Sequence, residues 1–361
     1  MEEERVITAQ NDDYAVSRRG GKHQKKKPRK EKKHKKLKVF LIIVSIILAL
    51  ILLVALAGNL YLNSLLNNNI NRDETYNENE LGVNENALGE DGANITNIAL
   101  FGIDSRQDSF KGRSDSIIIL SIDKERNKIK MTSLARDSYV SVDGHDKTKL
   151  GHAYAYGRAQ LAVKTINQNF NMNITDYATV NFFGFAQMID YIGGLDLNIS
   201  ESVFNEINGM SSGEDGEEIF SYEKLPGTGM QHLNGKQALS YARTRHHTGG
   251  DLARAGRQRD VLNASLKKAR EMGIGQLQDL IKMGLQNCQT SLTVDEIKEL
   301  GAWALLNSPT IETYAVPDSD CHPKSGKDCY IGKTWYYIYD IDIATQKIHD
   351  FITEKGTYKP N

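Results

Sequence analysis

Two neighbouring segments, FGIDSR and KGRSDS, set carboxylates and guanidinium groups in a pattern suited to phosphate chemistry. They place Asp104 and Arg106 after one apolar run, Asn97 to Phe101, and Arg113 and Asp115 before another, Ser116 to Ile122. Such runs predict strands, so the four charged residues fall at strand ends. Two carboxylates on adjacent strand-end loops can share one hard divalent ion, because Mg²⁺ is held by one or two carboxylates plus water and substrate phosphate. The interleaved arginines suit phosphate oxygens. Solvated loop ion pairs are the competing reading of the same residues.

Further groups join them. In SLARDSYVSV, Arg136 and Asp137 project from the end of a predicted strand, Lys128 to Leu134. Lys149 and His152, in KLGHAYAYG, stand at the start of a helix, where free N–H groups and the positive dipole end favour anions. His152 also reads as a capping or core residue. The segment LNGKQALSYARTRHHTGGDLARAGRQRDVL carries five arginines between positions 243 and 259. Arg254, Arg257 and Gln258 stand at helical i, i+3 and i+4 spacing and so share a face, while Arg243 and Arg245 end the preceding helix. The intervening HTGGD is a tight turn in which Asp251 is a natural N-cap. So many fixed charges fit a pyrophosphate better than a small neutral substrate. The apolar runs IIIL and VNFFGFAQMIDYIGG are either core or the lining of a lipid slot.

The elements that must position these groups are legible in the same way. Strands at Thr179 to Phe182 and Ile311 to Val316 join the three already named. Helical spacing marks Gly157 to Phe170 and Phe183 to Ile192, then Lys236 to Arg245, Leu252 to Met272, Ile274 to Cys288, Val294 to Leu306 and Ile341 to Thr353. Alternating strands and helices predict an α/β sheet covered by helices, as one domain over residues 94–361.

Upstream the chain changes character. Its net charge of −1 hides a polarised distribution: residues 18–38 sum to +12, residues 1–17 to −4, and the remainder to −9. Val39 to Gly58 is uncharged and, at about 1.5 Å per residue, spans a roughly 30 Å hydrocarbon core as a helix. A cleaved signal peptide would be shorter and nearer the N-terminus. Thirteen cations on the N-terminal flank orient residues 1–38 as a disordered cytoplasmic tail and the C-terminal domain outside. That tail lacks the periodicity of a recognition helix, so no nucleic acid is expected. Residues 59–93, rich in Asn, Glu and Gly, are expected as a solvated spacer. Cys321 and Cys329 bracket the loop HPKSGKD and are candidates for a disulfide, with Cys288 as a small buried hydrophobe.

The motifs GIDSR, GRSDS, ARDSYV, KLGHAYAYG, ITDYATVNFFGFAQMIDYIGGLDL and NGKQALSYARTRHHTGGDLARAGRQR, in that order over about residues 95–265, resemble the LytR-CpsA-Psr family. The resemblance implies a membrane-anchored α/β/α sandwich with a central mixed sheet, working outside a Gram-positive cell. It implies transfer of a glycopolymer phosphate from an undecaprenyl pyrophosphate carrier to peptidoglycan, as in attachment of teichoic acid or capsule. Asp104 and Asp115 would bind Mg²⁺ or Mn²⁺, and Arg106, Arg136, Arg243, Arg245, Arg254 and Gln258 would bind phosphate oxygens, with Lys149 nearby. Arg113 and Arg257 join this set from their spacing alone. The sequence departs from the family at Ala135, Gly151 and Arg158, where proline, asparagine and glycine are common. A regulator that merely holds polyprenyl phosphate is the rival reading, although a pure anion receptor gains nothing from paired carboxylates without a metal. A transcriptional attenuator would have only the tail on the DNA side.

Overall fold

The computed structural model describes residues 58–103, 110–209, 223–244 and 250–355. The chain divides at residue 60, and the unit from Tyr61 onward carries the sheet and the helices packed on it. The strands are β1 (Asn71–Arg72), β2 (Ile95–Ile103), β3 (Ser114–Asp123), β4 (Lys128–Leu134), β5 (Tyr139–Val140), β6 (Thr148–Lys149), β7 (Asp176–Asn181), β8 (Leu195–Ile199), β9 (Gly229–Leu233), β10 (Cys288–Thr290), β11 (Thr310–Val316), β12 (Tyr330–Ile331) and β13 (Thr334–Trp335). The helices are α1 (residues 58–69), α2 (Leu150–Phe170), α3 (Phe182–Tyr191), α4 (Glu201–Gly209), α5 (Gly235–Arg243), α6 (Gly250–Arg270), α7 (Ile274–Gln286), α8 (Val294–Asn307) and α9 (Ile341–Thr353).

Seven strands form one mixed sheet in the order β1-β10-β7-β2-β3-β4-β11. β2 and β4 run antiparallel to β3, while β7 is parallel to β2 and β11 to β4. The central strands are almost continuously apolar because helices cover both faces. Phe101, Ile103, Ile117 and Ile119 pack with α2 and α9 in the main core. On the other face Leu100 lies opposite Ile118 and Gly102 opposite Ser116, beneath α3, α5 and α6. The α/β architecture with a central mixed sheet is therefore as expected.

Local signals explain the helix starts. Asn234 and Gln237 form a reciprocal capping box on α5, and Thr293 and Glu296 another on α8. Helix α2 begins at Leu150, at the helix start expected around Lys149 and His152, and runs into the expected span Gly157 to Phe170 through a kink at Gly157 and Arg158.

Two expectations need correction. The segment 59–93 is not simply a spacer: β1 pairs with β10, and Leu81 and Leu88 are buried in the main core. Burying those two side chains ties the segment to the domain. Cys321 and Cys329 are free thiols, both buried. Cys321 Sγ contacts Asp318 Oδ1 at 3.3 Å, and Cys329 Sγ faces the Lys324 carbonyl at 3.0 Å. The expected membrane span falls outside the described residues but for Gly58; among the described residues no helix is long and apolar enough to cross a membrane.

Candidate active site

The site begins with an irregularity in β3. Gly102 pairs with Ser116 and Ile103 with Ser114, so Asp115 falls between the two pairs as the extra residue of a bulge. A bulge re-aims the side chain it carries. Asp115 Oδ1 accepts from Arg136 Nη1. Arg136 follows β4, whose end is tied to β11 by Ala135 N–H donating to the Val316 carbonyl at 3.0 Å. The next residue, Asp137, is 2% exposed and holds two cations: Lys149 Nζ at 2.6 Å and Arg136 Nε at 3.5 Å. Asp137 is thus the hub of the cluster, a role that its place beside Arg136 in the sequence did not reveal.

Arg113, Ser114, Gly151 and His152 complete a polar cavity of about 60 Å³ around these groups. Gly151 N–H donates to the Arg136 carbonyl at 2.8 Å. A Cβ at Gly151 would lie 2.7 Å from the Ser114 carbonyl oxygen, so the start of α2 comes this close only without a side chain. His152 Nδ1 lies 3.0 Å from Thr148 Oγ1. Burial, with Arg113 and Lys149 nearby, holds its pKa below the usual 6.5, so the imidazole is neutral at pH 7. Three cations, Arg113, Arg136 and Lys149, face two carboxylates, Asp115 and Asp137. The described lining therefore carries one excess positive charge, suited to an anion.

A second cavity, of about 130 Å³, lies on the other side of β3. Leu100, Ile118, Val180, Phe182, Phe185 and Leu239 give it apolar walls. Its polar side chains are Ser116, Arg243 and Gln258. The two cavities share one strand: Ser114 and Asp115 line the polar one, and Ser116 and Ile118 the apolar one. A charged headgroup and an apolar tail can thus be held on either side of a few residues of β3.

The arginine helix divides its work differently from the expected single face. Gln258 lines the apolar cavity, whereas Arg257 is buried and donates to the Thr244 carbonyl just after α5. Burial lowers the Arg257 pKa, in keeping with a brace inside the fold. Arg254 is buried as well, at 7% exposure. Arg259, not singled out in the sequence, reaches Ser133 Oγ on β4 at 3.2 Å and pins α6 over the sheet. Asp104, Arg106 and Arg245 lie outside the described residues.

Among the described residues no group of three or more His, Cys, Asp or Glu is placed to hold a metal. Of the two carboxylates expected to hold Mg²⁺, only Asp115 is among the described residues. Asp115 offers hard oxygens at the cavity wall, and Asp104 follows Ile103, the partner of Ser114. Mg²⁺ takes the remainder of its shell from water and phosphate.

Comparison with known proteins bears on the family and the fold. The LytR_cpsA_psr family model matches residues 60–350. The Oceanobacillus iheyensis polyisoprenyl-teichoic acid–peptidoglycan teichoic acid transferase TagU is 32% identical over 271 residues, 71% of this chain and 75% of that protein. Bacillus subtilis TagV, a transferase of the same description, is 30% identical over 258 residues, covering 70% and 62%. Among solved structures, TagT bound to LI-WTA superposes with a TM-score of 0.56 at 25% identity, covering 73% of this chain and 92% of that one. The crystal structure of B. subtilis TagV gives 0.54 at 26% identity, covering 74% and 98%. With the family match extending over most of its length, the chain belongs to the LytR-CpsA-Psr family.

Proposed function

We propose that this chain transfers a glycopolymer phosphate from an undecaprenyl pyrophosphate-linked carrier to a hydroxyl of peptidoglycan at the outer face of the membrane. The observation that carries the reading is the meeting of a cationic cavity and an apolar slot across β3. One end of such a donor is a polyanion and the other a hydrocarbon, so it needs both. The names of the relatives, teichoic acid–peptidoglycan transferases, support the same reaction class.

In this reading the polyprenyl tail lies along Leu100, Ile118 and Phe185, and Arg243 and Gln258 hold the oxygens where tail meets headgroup. Arg113, Arg136 and Lys149 surround the phosphoryl group and stabilise charge building on its oxygens, the main task in phosphoryl transfer. The acceptor oxygen forms a bond to phosphorus, the bond to the bridging oxygen breaks with its electron pair going to the undecaprenyl phosphate that leaves, and the hydroxyl proton passes to solvent. Asp137 fixes the two cations it touches. Asp104 and Asp115 would hold Mg²⁺, which when bound neutralises phosphate charge. Residues 39–58 anchor the chain, with the tail cytoplasmic and the domain outside.

The test uses the full chain in detergent with a synthetic polyprenyl pyrophosphate saccharide and a peptidoglycan oligomer. Transfer is expected, and Arg243→Ala should weaken donor binding by about ten- to a hundredfold, the loss of a charge-assisted contact. Tight donor binding without transfer to any acceptor length would overturn the enzyme in favour of a receptor. For topology, protease added to intact protoplasts should remove the domain; its protection would refute the outer location.

A further inference from the structure

The described residues around the polar cavity include aromatic rings that neither phosphate nor a lipid tail requires. The hairpin β12–β13 continues into Tyr336, Tyr337 and Tyr339, and this stretch is hydrogen-bonded to the very loop that carries the hub carboxylate. Tyr337 N–H donates to the Asp137 carbonyl at 2.8 Å, and Tyr139 N–H to the Tyr337 carbonyl at 2.9 Å. Tyr339 Oη donates to Ser138 Oγ at 2.8 Å. The Tyr336 ring packs edge-on against Tyr139 with centroids 4.9 Å apart, and Lys149 Nζ lies 5.9 Å from the Tyr336 centroid. Tyr156, 50% exposed, stacks on His145 at 4.4 Å and approaches His152 at 6.0 Å. Lys149 and His152 both line the polar cavity, so each of these rings stands beside a residue of its wall.

We propose that these rings form a binding platform for the acceptor, a chain of uncharged pyranose sugars whose apolar C–H faces stack on Tyr336 and Tyr156 while a hydroxyl enters the polar cavity. The inference rests on the phosphotransfer reading and adds the direction of acceptor approach. Three features favour a glycan. Tyr336 and Tyr156 each stand beside a residue that lines the cavity where phosphorus would be attacked. They belong to the α2 and α9 layer, where Tyr337 and Tyr339 join the main core, whereas the apolar slot lies under α3, α5 and α6, so the platform leaves the donor's tail undisturbed. Finally, partly exposed tyrosines present both a flat apolar surface and a hydroxyl, matching the two-sided character of a sugar ring better than that of a hydrocarbon.

The protein has two tryptophans, Trp303 and Trp335, and the Trp335 ring lies 5.7 Å from Tyr337. In a Trp303→Phe background of the full chain in detergent, Trp335 fluorescence becomes the reporter. Titration with a β-1,4-linked N-acetylglucosamine hexamer should give a saturable change. Tyr336→Ala and, independently, the exposed Tyr156→Ala should each weaken it by about tenfold, the scale of one lost ring contact, while Tyr336→Phe retains it. Both alanine variants should bind the polyprenyl pyrophosphate donor as wild type does. The absence of saturable oligosaccharide binding, or unchanged affinity in both alanine variants, would overturn the platform while leaving the donor reading intact. A Trp335 response to phosphatidylglycerol vesicles in place of the oligosaccharide would also overturn it, assigning the rings to the membrane surface. Glycan binding that persists when donor binding fails would instead count against the phosphotransfer reading and uphold the platform.

Discussion

Replacing Asp137 by asparagine keeps the shape of the hub and removes its charge. Lys149 Nζ at 2.6 Å and Arg136 Nε at 3.5 Å then lose their shared counter-ion. Unit charges about 4 Å apart interact by about 4 kcal/mol at an effective dielectric of 20. Lys149 and Arg136 side chains are 20% and 24% exposed, so solvent screens part of this, and the net cost should be about 2–3 kcal/mol. At roughly 2–4 °C per kcal/mol, thermal unfolding should move down by about 4–12 °C. The same change raises the cavity's excess of positive charge, so inorganic pyrophosphate should bind the folded variant more tightly and recover part of the lost Tm. Scanning fluorimetry with and without pyrophosphate reads both effects. A Tm within about 1 °C of wild type would show that Asp137 does not carry the cluster, and weaker pyrophosphate binding would refute the charge argument.

Three further outcomes follow from particular contacts. Ala242→Phe fills part of the apolar cavity that Ala242 lines, so donor binding should fall steeply while pyrophosphate binding stays; equal loss of both would place the lipid elsewhere. Removing divalent cations with EDTA should abolish transfer but weaken donor binding only severalfold, since the arginines remain; full transfer without metal would refute the assignment of Asp104 and Asp115. Burial holds His152 and His349 below 6.5, the latter with Nε2 at 2.9 Å from the Asn171 carbonyl. The unfolded chain takes up these protons first, so stability should be full above pH 6.5 and decline below it; His349→Gln should flatten a urea-midpoint profile, and an unchanged slope would remove His349 from the account.

Much of the frame was readable from periodicity. The run from Ser116 to Ile122 sits inside β3, and Ile341–Thr353 is helix over the expected span, because strong apolar patterns bounded by polar residues leave few alternatives. The charged loop residues were readable too: Arg113, Asp115, Arg136 and Lys149 do converge in one cavity. What spacing could not give was direction. Arg257 and Gln258 share a helix, yet one braces Thr244 and the other lines the slot, a difference set by how α6 is rotated over the sheet. The bulge at Asp115 needs a partner strand to exist at all, and so does the union of Tyr337 with Asp137, which lie far apart in sequence. Likewise Leu81 and Leu88 looked like scattered apolar residues in a polar segment until the sheet edge received β1.

Of the three positions that depart from the family pattern, Gly151 and Arg158 bear on how α2 meets the site and Ala135 on how β4 ends. At Ala135 the backbone N–H is used, donating to Val316, a bond that proline would forfeit. At Gly151 the absence of a side chain lets the helix start lie against the Ser114 carbonyl, beside the bulge. At Arg158 the cost appears: φ of 52° and ψ of −149° is backbone that glycine adopts freely and arginine adopts at about 1–3 kcal/mol. That conformation kinks the helix between two different duties. Residues before the kink bring Gly151, His152 and Tyr156 to the rim of the polar cavity. Those after it bury Ala159, Ala162, Val163, Ile166 and Phe170 in the main core. A straight helix could not aim both halves independently, and the apolar area buried by the second half is large enough to offset the strain at one residue. The kink therefore fixes where the imidazole and the Tyr156 ring stand relative to Asp115, and the core behind it holds them there.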